Sequence, residues 1–291
     1  MSSTRTKTVA VPGARLHCEV SGSGPVLLMI AGAAADARAM AGLATRLSAK
    51  CLAVTYDMRG LSRSVLDGPA EAVGIEVLAD DAHRILAAIS SEPAYVLGSS
   101  GGGLVALELA ARHPEQVRTL IAHEPAAMAL LPYSQQWQDF VGELEDLHRS
   151  HGAGAAMGRF LDGIEAVPGP GTSRNGPWSP RPVGQLPDAS RMSPRTRALM
   201  RRSQANMEHF FTHQIRPAAG YLPDIEALSR IRSRIVIGVG LTSGGQAPHV
   251  AARETARRLG VDVVEFPGDH QGFATASKEF ASTVDRVLSL G

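Results

Sequence analysis

One stretch restricts this chain more than any other: Val96-Leu97-Gly98-Ser99-Ser100-Gly101-Gly102-Gly103-Leu104. The apolar run 94–97 has the length and composition of a buried strand, and 104–112 carries helical periodicity that Pro114 stops. Between them, Gly98-Ser99-Ser100-Gly101-Gly102 spells G-x-S-x-G. A serine at so sharp a strand-to-helix turn has a strained backbone, and its hydroxyl projects from the end of the sheet. Glycines must flank it, because a Cβ there would collide with the neighbouring strand and helix. The helix starting at Gly101 also turns free N–H groups and the positive end of its dipole toward that hydroxyl. The spacing predicts a nucleophile elbow with Ser100 at its apex.

The alternation around the elbow sets the fold class. Strands are expected at 8–11 and 15–20, joined by a turn at Pro12-Gly13, then at 25–30, 51–56 and 117–122. The run 25–30 is continuously apolar, as in a strand covered on both faces. It ends in Ala31-Gly32-Ala33-Ala34-Ala35, and a helix over 36–49 follows with Asp36 as N-cap. Another helix is expected over 75–89. Strand and helix in alternation predict an α/β fold with a doubly wound, mostly parallel sheet.

The pattern breaks after 125. Residues 126–233 contain no strand signal, only helical stretches at 135–151, 154–162 and 195–216 and a segment, 168–194, dense in Pro, Gly, Ser and Arg that reads as a loop. Strand-helix order resumes with a strand at 235–239, a helix at 249–259, a strand at 262–266, the turn Pro267-Gly268-Asp269-His270 and a helix at 273–288. The chain thus divides into a core over 1–125, a helical insertion over 126–233 and the rest of the core over 234–291. The insertion carries Trp137, Phe140, Phe160, Phe210, Phe211 and Tyr221, which serve equally as walls of a substrate cavity or as packing against the core.

At 291 residues there is room for one large domain with an insertion, and a net charge of +1 offers nothing to nucleic acid or a membrane surface. Cys18 and Cys51 lack metal-ligand spacing, residues 1–11 are polar, and no apolar run reaches membrane-spanning length. These features predict a cytoplasmic protein. Oligomeric state is left open.

With four features in order, the chain resembles the α/β-hydrolase family over nearly its whole length. They are the loop Ala31-Gly32-Ala33, the segment Asp57-Met58-Arg59-Gly60-Leu61-Ser62-Arg63-Ser64, the elbow at Ser100, and Phe266-Pro267-Gly268-Asp269-His270-Gln271-Gly272-Phe273. The resemblance implies that the insertion is a lid and Ser100 the nucleophile. It makes His270 the base, chosen among ten histidines by position, and the N–H groups of Ala33 and Gly101 the oxyanion donors. Family members often carry a histidine where Ala31 stands.

The acid departs from the family pattern. No carboxylate follows the strand at 235–239, where Leu241-Thr242-Ser243-Gly244-Gly245-Gln246-Ala247-Pro248 stands instead. Glu124, at the carboxyl end of the strand beside the elbow strand, is the preferred substitute, and some lipases of this fold resemble it in that placement. Asp269 is the weaker candidate, and a Ser-His dyad remains open.

Three other patterns point elsewhere. His209 and His213 have i, i+4 spacing but no third metal ligand nearby, so lid packing is expected. Asp57 and Arg59 are expected to brace their loop as an ion pair. Gly98 to Gly103 has serine where a dinucleotide fingerprint needs its second glycine. No metal or cofactor site is expected.

The function implied is a serine hydrolase acting through an acyl-enzyme on a small, largely apolar ester, thioester, lactone or activated ketone. An epoxide hydrolase or dehalogenase of this fold would need Asp at position 100. The missing acid keeps a ligand receptor or a lyase or cyclase open as the alternative, since the fold hosts many functions.

Overall fold

The computed structural model describes residues 4–165 and 193–289. In chain order, β1 (Arg5–Val11) and β2 (Ala14–Gly22) form a hairpin, and β3 (Val26–Ile30) leads through a 3₁₀ turn to α1 (Ala41–Leu47). Then come β4 (Leu52–Tyr56), β5 (Val65–Leu66), α2 (Ile75–Ile89), β6 (Ala94–Ser99), α3 (Gly101–Arg112) and β7 (Val117–His123). The insertion supplies α4 (Ser134–Glu165), α5 (Pro194–His209), α6 (Ile215–Gly220) and α7 (Ile225–Ser229). The core closes with β8 (Ile235–Gly240), α8 (Ala247–Leu259), β9 (Val263–Phe266), α9 (Gly272–Thr275) and α10 (Ser277–Leu288).

One sheet holds these strands in the order β1-β2-β4-β3-β6-β7-β8-β9, with β5 pairing β2. The β1–β2 and β2–β4 pairs are antiparallel, and every pair from β4–β3 through β8–β9 is parallel. All residues of β3 and β6 are buried, which is why neither alternates polar with apolar: helices cover both faces. One face packs on α2, α3 and α8, the other on α1 and α10. The elbow strand β6 is central, so its carboxyl end opens where the neighbouring parallel strands also end.

The doubly wound expectation holds, and so does the hairpin turn, with Gly13 at φ 77°. Asp36 caps as predicted, accepting the Arg38 N–H, but the segment it starts is a 3₁₀ turn followed by the shorter α1. The helices expected at 135–151 and 154–162 form one run, α4, broken at Gly152 (φ 82°, ψ 170°). The helix expected at 195–216 is α5, a π-helical turn over Phe210–Gln214, and α6. A helical insertion between β7 and β8 fits a lid. Of the loop expected at 168–194, residues through 192 lie outside the described residues. Ser193 caps α5 by accepting the Thr196 N–H, with Pro194 in its first turn. No helix among the described residues is long and apolar enough to cross a membrane.

The expected Asp57–Arg59 ion pair is not formed. Asp57 turns inward, fully buried, and accepts the N–H groups of Ala37 (2.9 Å) and Arg63 (3.0 Å) as well as Arg63 Nε at 2.7 Å. Arg59 points away to α2, where it pairs with buried Asp81 at 2.5 Å. Two residues apart in a loop, the side chains diverge, and each finds a partner further along the chain.

Candidate active site

Ser100 sits at φ 56°, ψ −122°, outside the regions an L-residue ordinarily occupies. Its surroundings fix it there. The Ser100 N–H donates to His123 O (3.1 Å), and Ser100 O accepts from Gly103 N (2.9 Å) and Ala126 N (3.2 Å). A Cβ on Gly98 would stand 2.3 Å from Gly102 O, and one on Gly102 would stand 2.2 Å from Ile30 O. The glycines of the motif therefore let α3 descend onto the sheet and hold the strain.

The loop after β3 comes up beside the elbow. Ala33 has φ 45° in a turn closed by Ala35 N–H donating to Gly32 O at 3.1 Å. Glycine is required at 32, since a Cβ there would stand 2.7 Å from Ser100 Cβ. A Cβ on Gly101 would lie 3.5 Å from Ala33 N, so the two peptide N–H groups are near neighbours. Neither has an acceptor among the described residues. Two unpaired N–H groups beside a serine, at the N-terminus of α3, form a site for a developing oxyanion.

His270 and Glu124 meet although 146 residues separate them in the chain: His270 Nδ1 lies 2.7 Å from Glu124 Oε2. His270 rides the turn after β9, with Gly268 at φ 86°, and Glu124 follows β7 directly at φ 43°. The second carboxylate oxygen, Oε1, accepts the Gly240 N–H at 2.8 Å and the Ser243 hydroxyl. Burial pushes the Glu124 carboxyl up, but the hydrogen bonds from His270, Ser243 and Gly240 outweigh it and leave the group at about 2. An ionised carboxylate on Nδ1 keeps the proton there and leaves Nε2 as the nitrogen with a free lone pair. Asp269 is not part of this contact; its Oδ1 accepts the Gln271 N–H at 2.8 Å and braces the turn. The structure joins His270 to Glu124 but shows no hydrogen bond between Ser100 Oγ and His270 Nε2, a kind of contact that often forms only in the substrate complex.

Two residues on Glu124 gave no signal in the sequence. Ser243 stands in the loop after β8, where no carboxylate follows the strand, and from there its hydroxyl donates to Glu124 Oε1. His249, on α8, places Nδ1 3.4 Å from Glu124 Oε1 and 3.2 Å from Ser243 Oγ. Its Nε2 accepts from Arg253 Nε at 3.1 Å, so the ring hydrogen is on Nδ1, toward the carboxylate. A serine in a Gly-rich loop and a histidine at a helix start do not advertise a shared partner. His123, the residue before Glu124, is fully buried, and neither ring nitrogen has a partner among the described residues. It presents its edge to Phe266 and Phe280, and burial lowers its pKa to about 4, so it is a neutral packing group.

Ser100, Gly101 and Ala33 open into a cleft with about 390 Å³ of empty space including its mouth. Its other walls are Leu104, Ala126, Trp137, Phe160, Phe210, Ile215, Ala218 and Ala219, none of them charged. The aromatic residues of the insertion thus divide: Trp137, Phe160 and Phe210 face the cleft, while Tyr221 packs into the core and donates its hydroxyl to Glu108 at 2.6 Å. The His209 and His213 rings lie 4.8 Å apart, tilted by 45°, and the described residues hold no group of three metal-ligating side chains.

The alpha/beta hydrolase fold model matches residues 25–213. The Bacillus subtilis (strain 168) protein named "Uncharacterized hydrolase YraK" is 33% identical over 288 residues, which is 97% of this chain and 95% of that one. Among solved structures, a thermophilic esterase from Thermogutta terrifontis superposes with a TM-score of 0.71 at 18% identity over 98% of each chain. An enol-lactonase from Burkholderia xenovorans LB400 does so at 0.67 and 18% identity, over 97% of this chain and 100% of that one. At such identities these two likenesses speak for the fold alone.

Proposed function

We propose, from the premise that this chain belongs to the α/β-hydrolase fold family, that it is a serine hydrolase working through an acyl-enzyme with Ser100, His270 and Glu124. A hydrolase of this fold is what the family match and the full-length relative support directly. The serine mechanism rests on one observation above the others, the 2.7 Å contact of Glu124 with His270 Nδ1. That contact leaves Nε2 free to take a proton and puts a negative charge behind the ring when it does.

Ser100 Oγ attacks the acyl carbon and its proton passes to His270 Nε2. The carbonyl oxygen becomes an oxyanion and accepts from the N–H groups of Ala33 and Gly101. As the tetrahedral species collapses, the bond to the leaving group breaks and His270 Nε2 returns the proton to it. Water then gives its proton to His270 and attacks the acyl-enzyme, and Ser100 is regenerated by the same steps in reverse. An uncharged acyl group fits the cleft, because charge there would be desolvated without a partner. A small ester, thioester, lactone or activated ketone meets that condition. Both cysteines are buried thiols, which suits a reducing cytoplasm.

The contact of Glu124 with His270 favours this reading over a ligand receptor or a lyase or cyclase. Labelling with a fluorophosphonate, read by intact mass, tests the reading: the wild type should gain one adduct and Ser100→Ala none. A folded wild type that stays unlabelled would overturn it in favour of the non-hydrolytic roles.

A further inference from the structure

Asn206, a buried residue of α5, joins the insertion to the loop that carries Ala33. Its Oδ1 accepts the Ser62 N–H at 2.7 Å, while Nδ2 donates to Ser62 Oγ (2.9 Å) and to Ala34 O (3.2 Å). Both amide hydrogens and the carbonyl are thereby used, and the orientation is fixed by the partners. Ser62 Oγ in turn donates to Asp36 Oδ2 at 2.7 Å. The turn between Gly32 and Asp36 is therefore held from outside at both its middle and its end.

That turn needs holding. Its first central residue, Ala33, has φ 45°, where glycine is the usual occupant, and such a conformation persists only when neighbours impose it. Ala34 O belongs to the 34–35 peptide, whose N–H, on Ala35, donates at 3.1 Å to Gly32 O, the carbonyl of the very peptide that carries the Ala33 N–H. An oxyanion donor is effective only when its hydrogen already points at the place where charge will appear.

We propose that Asn206 is a positioning residue for the oxyanion: by fixing the Ala34 carbonyl it aims the Ala33 N–H, so the insertion completes the oxyanion site as well as walling the cleft. This rests on the serine-hydrolase reading above. Removal of the contact then weakens transition-state binding and leaves ground-state binding of the acyl group alone.

Asn206→Asp is the sharpest variant. It keeps the shape and the acceptor for Ser62 N–H, but turns an oxygen toward the Ala34 carbonyl. With p-nitrophenyl butyrate as probe and sites counted by fluorophosphonate endpoint labelling, kcat per labelled site should fall about 10- to 100-fold with KM within about twofold. A merely structural Asn206 would lower the melting temperature and the labelled fraction, with kcat per labelled site unchanged; that result overturns the proposal while the hydrolase reading stands. An unlabelled wild type would overturn both. Should Asn206→Asp fail to fold, Ser62→Gly removes the hydroxyl that orients the amide at a position, φ 50°, that glycine accepts. There a kcat loss of about two- to fivefold at constant KM supports the assignment, and an unchanged kcat overturns it.

Discussion

The sheet crest and the insertion solve irregular backbone in opposite ways. At the crest, Ala33, Ser62, Ser100 and Glu124 are all non-glycine residues at positive φ, between 43° and 56°. Ser62, Ser100 and Glu124 are held by their own hydrogen bonds to other elements, and Ala33 through its neighbour Ala34, whose carbonyl accepts from Asn206. In the insertion, among the described residues, the break in α4 falls at a glycine, Gly152, and a π-turn precedes α6. The His148–Glu208 hydrogen bond and the half-exposed Arg216–Glu145 ion pair tie its helices together, and exposed ion pairs contribute about 0–1 kcal/mol. Strain is thus placed where atoms must be aimed, and the walls around them are assembled from apolar packing that tolerates change.

Substitutions at the crest should then act on kcat, and substitutions in the wall on choice of substrate. The largest effect is expected at Glu124. Glu124→Gln keeps acceptors for Gly240 and Ser243 but removes the charge, and steady-state kinetics should show kcat lower by at least about 10² with little change in KM. A lowered melting temperature with near-normal kcat would instead make Glu124 a brace. In the wall, Phe160 packs edge-on against Phe210 at 5.8 Å. Phe160→Ala should shift kcat/KM toward p-nitrophenyl octanoate over p-nitrophenyl acetate by about tenfold, within the range set by apolar pocket contacts. An unchanged ratio would mean that the acyl group does not lie in this cleft.

Smaller effects separate burial from chemistry. Because burial lowers His123 from 6.5 to about 4, the unfolded chain takes up that proton first as pH falls. Stability contributed by the neutral ring is therefore full above 6.5 and is lost toward pH 4, by up to about 1.4 kcal/mol per pH unit. His209, also held near 4 by burial, acts in the same window, whereas the depressed Glu124 carboxyl loses its contribution only between 4.5 and about 2. Urea melts at pH 7 and pH 5 should show a shallower acid loss for His123→Leu than for wild type. Parallel losses would show that the buried ring is not the source. The smallest change is expected for Asp269→Asn, with kcat within about threefold of wild type, because the amide oxygen still accepts the Gln271 N–H.

What the sequence disclosed follows from how far each contact reaches. The elbow, the strand-helix alternation and the histidine turn are local patterns, so Ser100 could be singled out by spacing and His270 by the place of its turn in the family resemblance. Glu124 could be preferred only by its place at a strand end, because the contact that supports it spans 146 residues. Ser243, His249 and Asn206 were invisible: each acts through a side chain packed against a distant element, and for Asn206 the separation from Ala34 is 172 residues. The Asp57–Arg59 pair failed for the converse reason. Neighbours in sequence need not be neighbours in space: Asp57 turns inward to Arg63, and Arg59 reaches α2 to pair with Asp81.

The parallel pairing of β7 with β8 closes a loop of more than a hundred residues. The entropy of closing so long a loop grows only logarithmically, by about 0.6 kcal/mol for each doubling of length. Lengthening or shortening the insertion is therefore nearly neutral for the stability of the sheet, and its exchange is limited by the contacts it makes, Asn206 to Ala34 and Ser62 and Tyr221 to Glu108 among them, rather than by its length. The exchange has one fixed boundary. Glu124 is the first residue after β7, so a replacement that begins beyond it leaves the Glu124–His270 contact with the core however the wall above is rewritten.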